Sequence, residues 1–192
     1  MRNYRAMTLI EMVIVIALIA VITAMALPQV NYTAYRVDSG ARAVRAALQR
    51  AQNYAVSSQH NQLVAVDVTH GVVYIIDDVN NNMAVDPGEH ITGVPLQDGI
   101  IFATPPTTTT WTGAPMASSA LMASSLITVA VNGNALPAFV YRSDGAASTG
   151  VQLYLTSMQR QVNDYRGVNV TQATGRADWY KDQAGTWVLA GF

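Results

Sequence analysis

The chain has 192 residues, enough for one domain with a substantial core once an N-terminal segment is set aside. Half of it is hydrophobic (51%) and only 12% is charged, which fits a protein with one lipid-facing or partner-facing element better than a freely soluble enzyme. Lys and Arg number 11 against 12 Asp and Glu, and 9 basic groups remain beyond Arg2 and Arg5, so there is no overall pull towards nucleic acid; the lack of cysteine excludes disulfides and thiolate metal sites.

Residues 7–27 are apolar except for Thr8, Glu11 and Thr23. As a helix they rise about 31 Å, the thickness of a hydrocarbon core. Arg2 and Arg5 precede the run, so the positive-inside rule leaves the N-terminus in the cytoplasm and sends the rest across. One account is a secretory signal peptide cut after Ala26, because Ala24 and Ala26 supply the small residues of an A-x-A site and cleavage would release a soluble binding module. The run is long for that, and Glu11 would gain nothing there. A second is a generic anchor whose Glu11 snorkels to the interface.

The stretch AMTLIEMVIVIALIAVITAMALPQ, from Ala6 to Gln29, gives a third. A short basic leader, a small residue and then Met7, Thr8, Leu9, Ile10 and Glu11 resemble the class III signal of type IV pilins and type II secretion pseudopilins. The resemblance implies cleavage between Ala6 and Met7 by prepilin peptidase, N-methylation of Met7 and retention of the apolar helix. It also implies a kink at Pro28, and assembly in which Glu11 offsets the N-terminal amine of a neighbouring subunit. Ala6 departs from the family's usual Gly. Opposite charges attract far more strongly in low dielectric than in water, which supports that role for the acid.

Val30, Ala34, Val37, Ala41, Val44, Leu48, Ala51 and Ala55 alternate spacings of four and three, the pattern of an amphipathic helix that packs on the protein's own sheet or, as the alternative, in an intermolecular coiled coil. Arg36, Asp38, Arg42, Arg45, Gln49, Arg50 and Asn53 form the expected solvated face, and Ser39-Gly40 a bend. SSQHNQ ends the helix. LVAVDV and VVYII around THG read as a hairpin, and further strands are expected at 91–96, 100–103, 126–131, 138–142, 151–156, 167–171 and 186–189. NGNALP, SDGAASTG and TQATGRAD read as separators. Residues 103–125, rich in Thr, Ser, Pro and Ala, read as a long loop in which Trp111 folds onto the surface or anchors a partner.

The expected fold is α+β: a long N-terminal amphipathic and transmembrane helix packed on an antiparallel β-sheet head. The expected organisation is a leader at 1–6, a transmembrane or filament-core helix at 7–28, an amphipathic helix at 29–60 and a β-rich head at 61–192. The helix, hairpin, Asx-rich loop DDVNNNMAVDPGE, FVYRSDGAAS and late Gly-Arg together resemble the GspH and FimT group of minor pilins and pseudopilins. That implies a pilin-like fold and a subunit of a type IV pilus, engaged in assembly or DNA uptake, or else a pseudopilin of type II secretion. Its partners would be other pilins, prepilin peptidase and the inner-membrane assembly machinery. The location implied is the bacterial inner membrane, with the head periplasmic, and then the filament.

Three constellations bear on chemistry. Asp78, Asn80, Asn82, Asp86 and Glu89 have EF-hand spacing, but Met83 occupies the glycine position and strands flank the loop, so an Asx-rich turn is the better reading and no metal or cofactor is assigned. GRADWYK keeps Gly175 and Arg176 of the G-R-x-R segment associated with DNA in some FimT-like pilins. Asp178 replaces the second Arg there, and Lys181 is flanked by Asp182, so Arg176 and Lys181 are weak DNA-contact candidates, beside Trp179 and Tyr180 as stacking rings, and the alternative is a strand end with its aromatics buried. His60, His70 and His90 share no ligand spacing, and no phosphate loop or nucleophile elbow occurs, so no enzyme is expected.

Overall fold

The computed structural model describes residues 8–26, 32–106, 119–161, 164–183 and 186–190. The chain divides into two compact units, Met1–Tyr32 and Thr33–Phe192. The first contains helix α1, Leu9–Ala26. The expected kink at Pro28 and the leader junction at Ala6 and Met7 lie outside the described residues, as does Trp111.

Helix α2, Tyr32–Ser58, buries Val37, Ala41, Val44, Leu48, Ala51 and Ala55, most of the expected stripe. It ends where Gln59 takes a left-handed φ of 60°, the conformation that terminates many helices. The helix continues without a break through Ser39-Gly40, the pair expected to bend it. Gly40 is buried within a continuous helix, where a Cβ would come within 2.8 Å of Ile100 Cδ1. The missing side chain lets the helix lie close to the sheet, and tertiary packing outweighs glycine's poor helix propensity.

Strands β1 (Asn61–Asp67) and β2 (Val72–Asp78) form the expected hairpin, with Val66 opposite Val73 and Val64 opposite Ile75. They belong to a five-stranded antiparallel sheet ordered β3-β2-β1-β7-β6, in which β3 is Ile91–Pro95, β6 Ile127–Val131 and β7 Asn134–Tyr141. The second sheet runs β11-β10-β9-β8-β4, with β5 also paired to β8. Its strands are β4 (Ile100–Phe102), β5 (Leu121–Ala123), β8 (Val151–Ser157), β9 (Arg166–Val170), β10 (Ala177–Gln183) and β11 (Thr186–Leu189). The main core joins the α2 stripe to Val64, Val66 and Ile75 of one sheet and to Leu153, Leu155, Val168 and Trp179 of the other. Leu63, Ala65, Ile76 and Val140 form a second cluster from the alternate residues of the first sheet, as the twofold side-chain period of strands requires.

Helix followed by antiparallel sheets is the expected α+β class, with four local differences. NGNALP is no separator: Asn132 (φ 50°) and Gly133 (φ 82°) make a two-residue turn and β7 begins at Asn134. β5 lies within the stretch expected to be a loop, pairing Leu121 with Leu153. β10 occupies the end of the TQATGRAD separator and the DNA-candidate segment, held by its register with β9. Asp38, expected on the solvated face, pairs with the fully buried Arg166 of β9 and ties α2 to the second sheet.

Candidate functional site

The N-terminal unit is the first candidate. Thr8 Oγ1 accepts a hydrogen bond from the Glu11 N–H at 3.3 Å, so Thr8 caps the helix and Glu11 falls three residues later, in the first turn. T-x-x-E is the capping-box spacing, and an acid in the first turn also complements the helix dipole. The spacing of Glu11 from Thr8 is the sequence signal for this local role, separate from the assembly and snorkelling roles expected of the acid. Thr23 returns its hydroxyl to the Ile19 carbonyl at 2.8 Å, which satisfies a polar group inside an apolar run. Leu9, Ile10, Met12, Val13, Ile14, Val15, Ile16, Leu18, Ile19, Val21 and Ile22 are all exposed, so the helix is apolar around its whole circumference. Among the described residues no helix is long and apolar enough to cross a membrane. The 18 residues of α1 rise about 27 Å, slightly less than a hydrocarbon core of about 30 Å.

The late Gly-Arg segment is the second. Gly175 has φ +64°, and a Cβ there would overlap the Gly145 carbonyl oxygen and lie 2.7 Å from Gln52 Nε2. Gln52 Nε2 donates to the carbonyls of Gly145 (2.9 Å) and Thr174 (2.6 Å), so α2 clamps the two loops together. Gly175 is therefore a packing residue. Arg176 Nε donates to Asp178 at 3.0 Å, pairing the basic residue with the acid that replaces the second Arg. Lys181 is half-buried in β10. Trp179 is buried beneath Arg42, whose guanidinium carbon lies 5.4 Å from the ring centroid. Tyr180 is half-buried, and burial, with Asp178 nearby and Arg176 opposing, raises its hydroxyl pKa. The structure thus brings Arg176 and Lys181 onto one segment but leaves Trp179 unable to stack on a base.

In the 78–89 loop, Asp78 accepts the Asn82 N–H at 2.9 Å and the Met83 N–H at 2.8 Å, while the Asn80 and Asn82 amides donate to Asp86. Those amides hold the Asp86 carboxyl below its ordinary pKa. Asn82 Oδ1 accepts the Ala84 N–H and Glu89 the Asp86 N–H, so these side chains satisfy the backbone as an Asx-rich turn does. Among the described residues no group of three metal-ligating side chains converges.

The histidines are dispersed. His70 caps the hairpin turn, its Nδ1 lying 2.7 Å from Asp67 and its backbone N–H donating to the same carboxylate at 2.9 Å. His60 Nδ1 stands 3.7 Å from Asp77, and His90 Nε2 3.2 Å from the Thr92 hydroxyl. Asp77 also accepts Gln62 Nε2 at 2.6 Å. It lines a groove of about 480 Å³ with Arg50, Tyr54, Gln62 and His90.

Residues 1–27 match the family model of the prokaryotic N-terminal methylation motif. No curated protein matches the chain. Among solved structures, the minor pseudopilin EpsH from the type 2 secretion system of Vibrio cholerae is similar at 12% identity and a TM-score of 0.46, over 81% of this chain and 97% of that one.

Proposed function

We propose that this chain belongs to the type IV pilin and pseudopilin superfamily and is a minor pilin-like subunit of the GspH and FimT kind, built into a type IV filament. Prepilin peptidase cuts between Ala6 and Met7 and the new amine is methylated. Residues 7–28 then hold the subunit in the bacterial inner membrane, with its N-terminus cytoplasmic and its head periplasmic, until the assembly machinery moves it into the filament. Exposure of apolar side chains on every side of α1 from Leu9 to Ile22 carries this reading. A helix that is hydrophobic on every side needs lipid, and afterwards the helices of other pilins, to cover it.

Glu11 is the one charge in α1. In the filament it meets the Met7 amine of a neighbouring subunit, a pairing strengthened by low dielectric. A type II secretion pseudopilus uses the same assembly chemistry, and immunolabelling distinguishes the two by asking whether sheared surface fibres carry the protein. Mass spectrometry of the mature N-terminus tests the proposal directly: it expects a methylated Met7, whereas Leu27 as first residue would make the chain a secreted module and end the filament reading.

A further inference from the structure

Residues 126–131, LITVAV, contain no charge, no proline and no glycine, and Ile127, Thr128, Val129 and Val131 are β-branched. They supply β6, which has β7 on one side and, among the described residues, no strand on the other. The turn at Asn132 and Gly133 fixes which way the backbone groups of β6 point. In a two-residue hairpin the residues flanking the turn, here Val131 and Asn134, exchange hydrogen bonds, and every second pair from there does the same. Val129 and Ile127 therefore bond to β7, while Thr128 and Ala130 turn their N–H and C=O groups outward. Pro137 stands opposite Thr128, an alignment that works because that pair exchanges no hydrogen bond.

Side chains alternate along the same strand. Val129 and Val131 are buried in the second core cluster, and Thr128 and Ala130 are exposed. Natural sheets guard such a margin with charge, proline or a bulge, but β6 keeps an uninterrupted register with β7 and carries neither charge nor proline. β3, at the other margin of this sheet, carries Gly93 and Pro95.

We propose that β6 pairs antiparallel with β6 of a second copy of this chain, about a two-fold axis at Val129. The outward groups set the register. With Val129 opposite its own copy, Thr128 of each chain exchanges two hydrogen bonds with Ala130 of the other. A register centred on Thr128 or on Ala130 would leave one of these residues facing a position outside the strand. The side chains of β6 identify the occupant. Thr128 lies beside Ala130 of the copy, so small groups meet without a clash. No charge enters the contact, so identical strands meet without the repulsion that like charges impose. Each β6 satisfies the other, and the assembly closes at two. This pairing belongs to the head alone and needs no membrane-spanning helix.

Sedimentation velocity of the full-length chain in detergent reads the oligomeric state. Single cysteines read the register, because the chain has no cysteine of its own. Facing residues that exchange no hydrogen bonds lie about 4.5 Å apart at Cα, within disulfide range. Oxidation should therefore link Val129→Cys to its copy and leave Ile91→Cys, on β3, unlinked. Ala130→Pro removes an outward N–H that β7 does not use, and Thr128→Lys sets two ammonium groups beside the axis. Each should raise the dimer dissociation constant roughly tenfold or more, while the circular dichroism spectrum stays that of the parent. A chain that stays monomeric at every concentration and forms no Val129→Cys dimer would overturn the pairing. A dimer that survives both substitutions would also overturn it and assign self-association to another part of the chain. Cross-linking of Ile91→Cys as strong as that of Val129→Cys would do the same.

Discussion

Gly175→Ala changes one hydrogen into a methyl group at the point where the late Gly-Arg turn meets the turn at Gly145. The φ of +64° alone penalises any L side chain, by about 1–2 kcal/mol in the left-handed region. The new methyl would also overlap the Gly145 carbonyl oxygen and lie 2.7 Å from Gln52 Nε2 and 3.1 Å from Tyr141 Cε1. Its neighbours here include backbone and the buried ring of Tyr141, so relief requires the turns to separate. Overpacking of this kind adds about 1–3 kcal/mol. Separation would also stretch the Gln52 bonds to Gly145 and Thr174, worth about 1 kcal/mol each. The total is about 4–7 kcal/mol, which for a chain of this size lowers Tm by roughly 8–28 °C. Gly133→Ala is the internal comparison, because its φ is +82° but a Cβ there meets nothing within 4 Å, leaving only about 1–2 kcal/mol of backbone strain. Thermal unfolding of both full-length variants in detergent, followed by circular dichroism of the sheets, reads the difference. Equal Tm shifts would refute the packing account of Gly175.

Asp38→Ala removes the carboxylate paired with the buried Arg166 guanidinium and should cost about 3–5 kcal/mol, read as a fall in the denaturation midpoint; an unchanged midpoint would mean that the pair does not hold α2 to the sheet. Burial opposes ionisation of Asp67, but hydrogen bonds from the His70 backbone and ring, together with the ring's charge and the Thr69 N–H, hold its folded pKa below the ordinary value. Its stabilisation is therefore complete above the unfolded value of about 3.9 and lost as pH falls through the folded one. The Tm gap between the parent and Asp67→Asn should shrink below about pH 4, and a gap constant down to pH 2 would contradict this. If β10 touches DNA, Asp178→Asn releases Arg176 and should strengthen single-strand binding and steepen the salt dependence by about 0.7 per added phosphate contact. Arg176→Ala with Lys181→Ala should do the opposite, and equal affinities for all three chains would remove this segment as a nucleic-acid contact. Glu11→Val should leave membrane insertion intact and impair filament incorporation; normal incorporation, measured by immunoblotting sheared fibres, would remove the charge-pair step.

Features whose cause is local were legible in the sequence. The α2 stripe follows from helical periodicity, and the β1–β2 hairpin from alternation around a turn. The N-terminal motif is a continuous run of residues and needs no fold to be read. Asp38 was misplaced because nothing near it in sequence announces Arg166, which lies 128 residues away. The full length of β10 was not legible beyond a strand end with buried aromatics: ADWYKDQ mixes charge with aromatics, and its strand character comes from pairing with β9 and from burial of Trp179 under α2. The three residues of β5 are too few to show a period in a Thr-, Ser- and Ala-rich stretch. Gly175 was noticed as half of a binding motif, while the reason for a glycine there depends on Gly145 and Gln52, which only folding brings to it.

β3 forms one edge of the five-stranded sheet and ends on Pro95, which has no N–H to offer, with Gly93 two residues before it. Exposed edges are templates on which identical chains aggregate, and proline is among the residues that interrupt them. If copies of the chain wait side by side before assembly, as proposed, they are crowded against one another, the condition in which strand-to-strand polymerisation competes with ordered growth. An edge cut short by Pro95 disfavours that competing polymer.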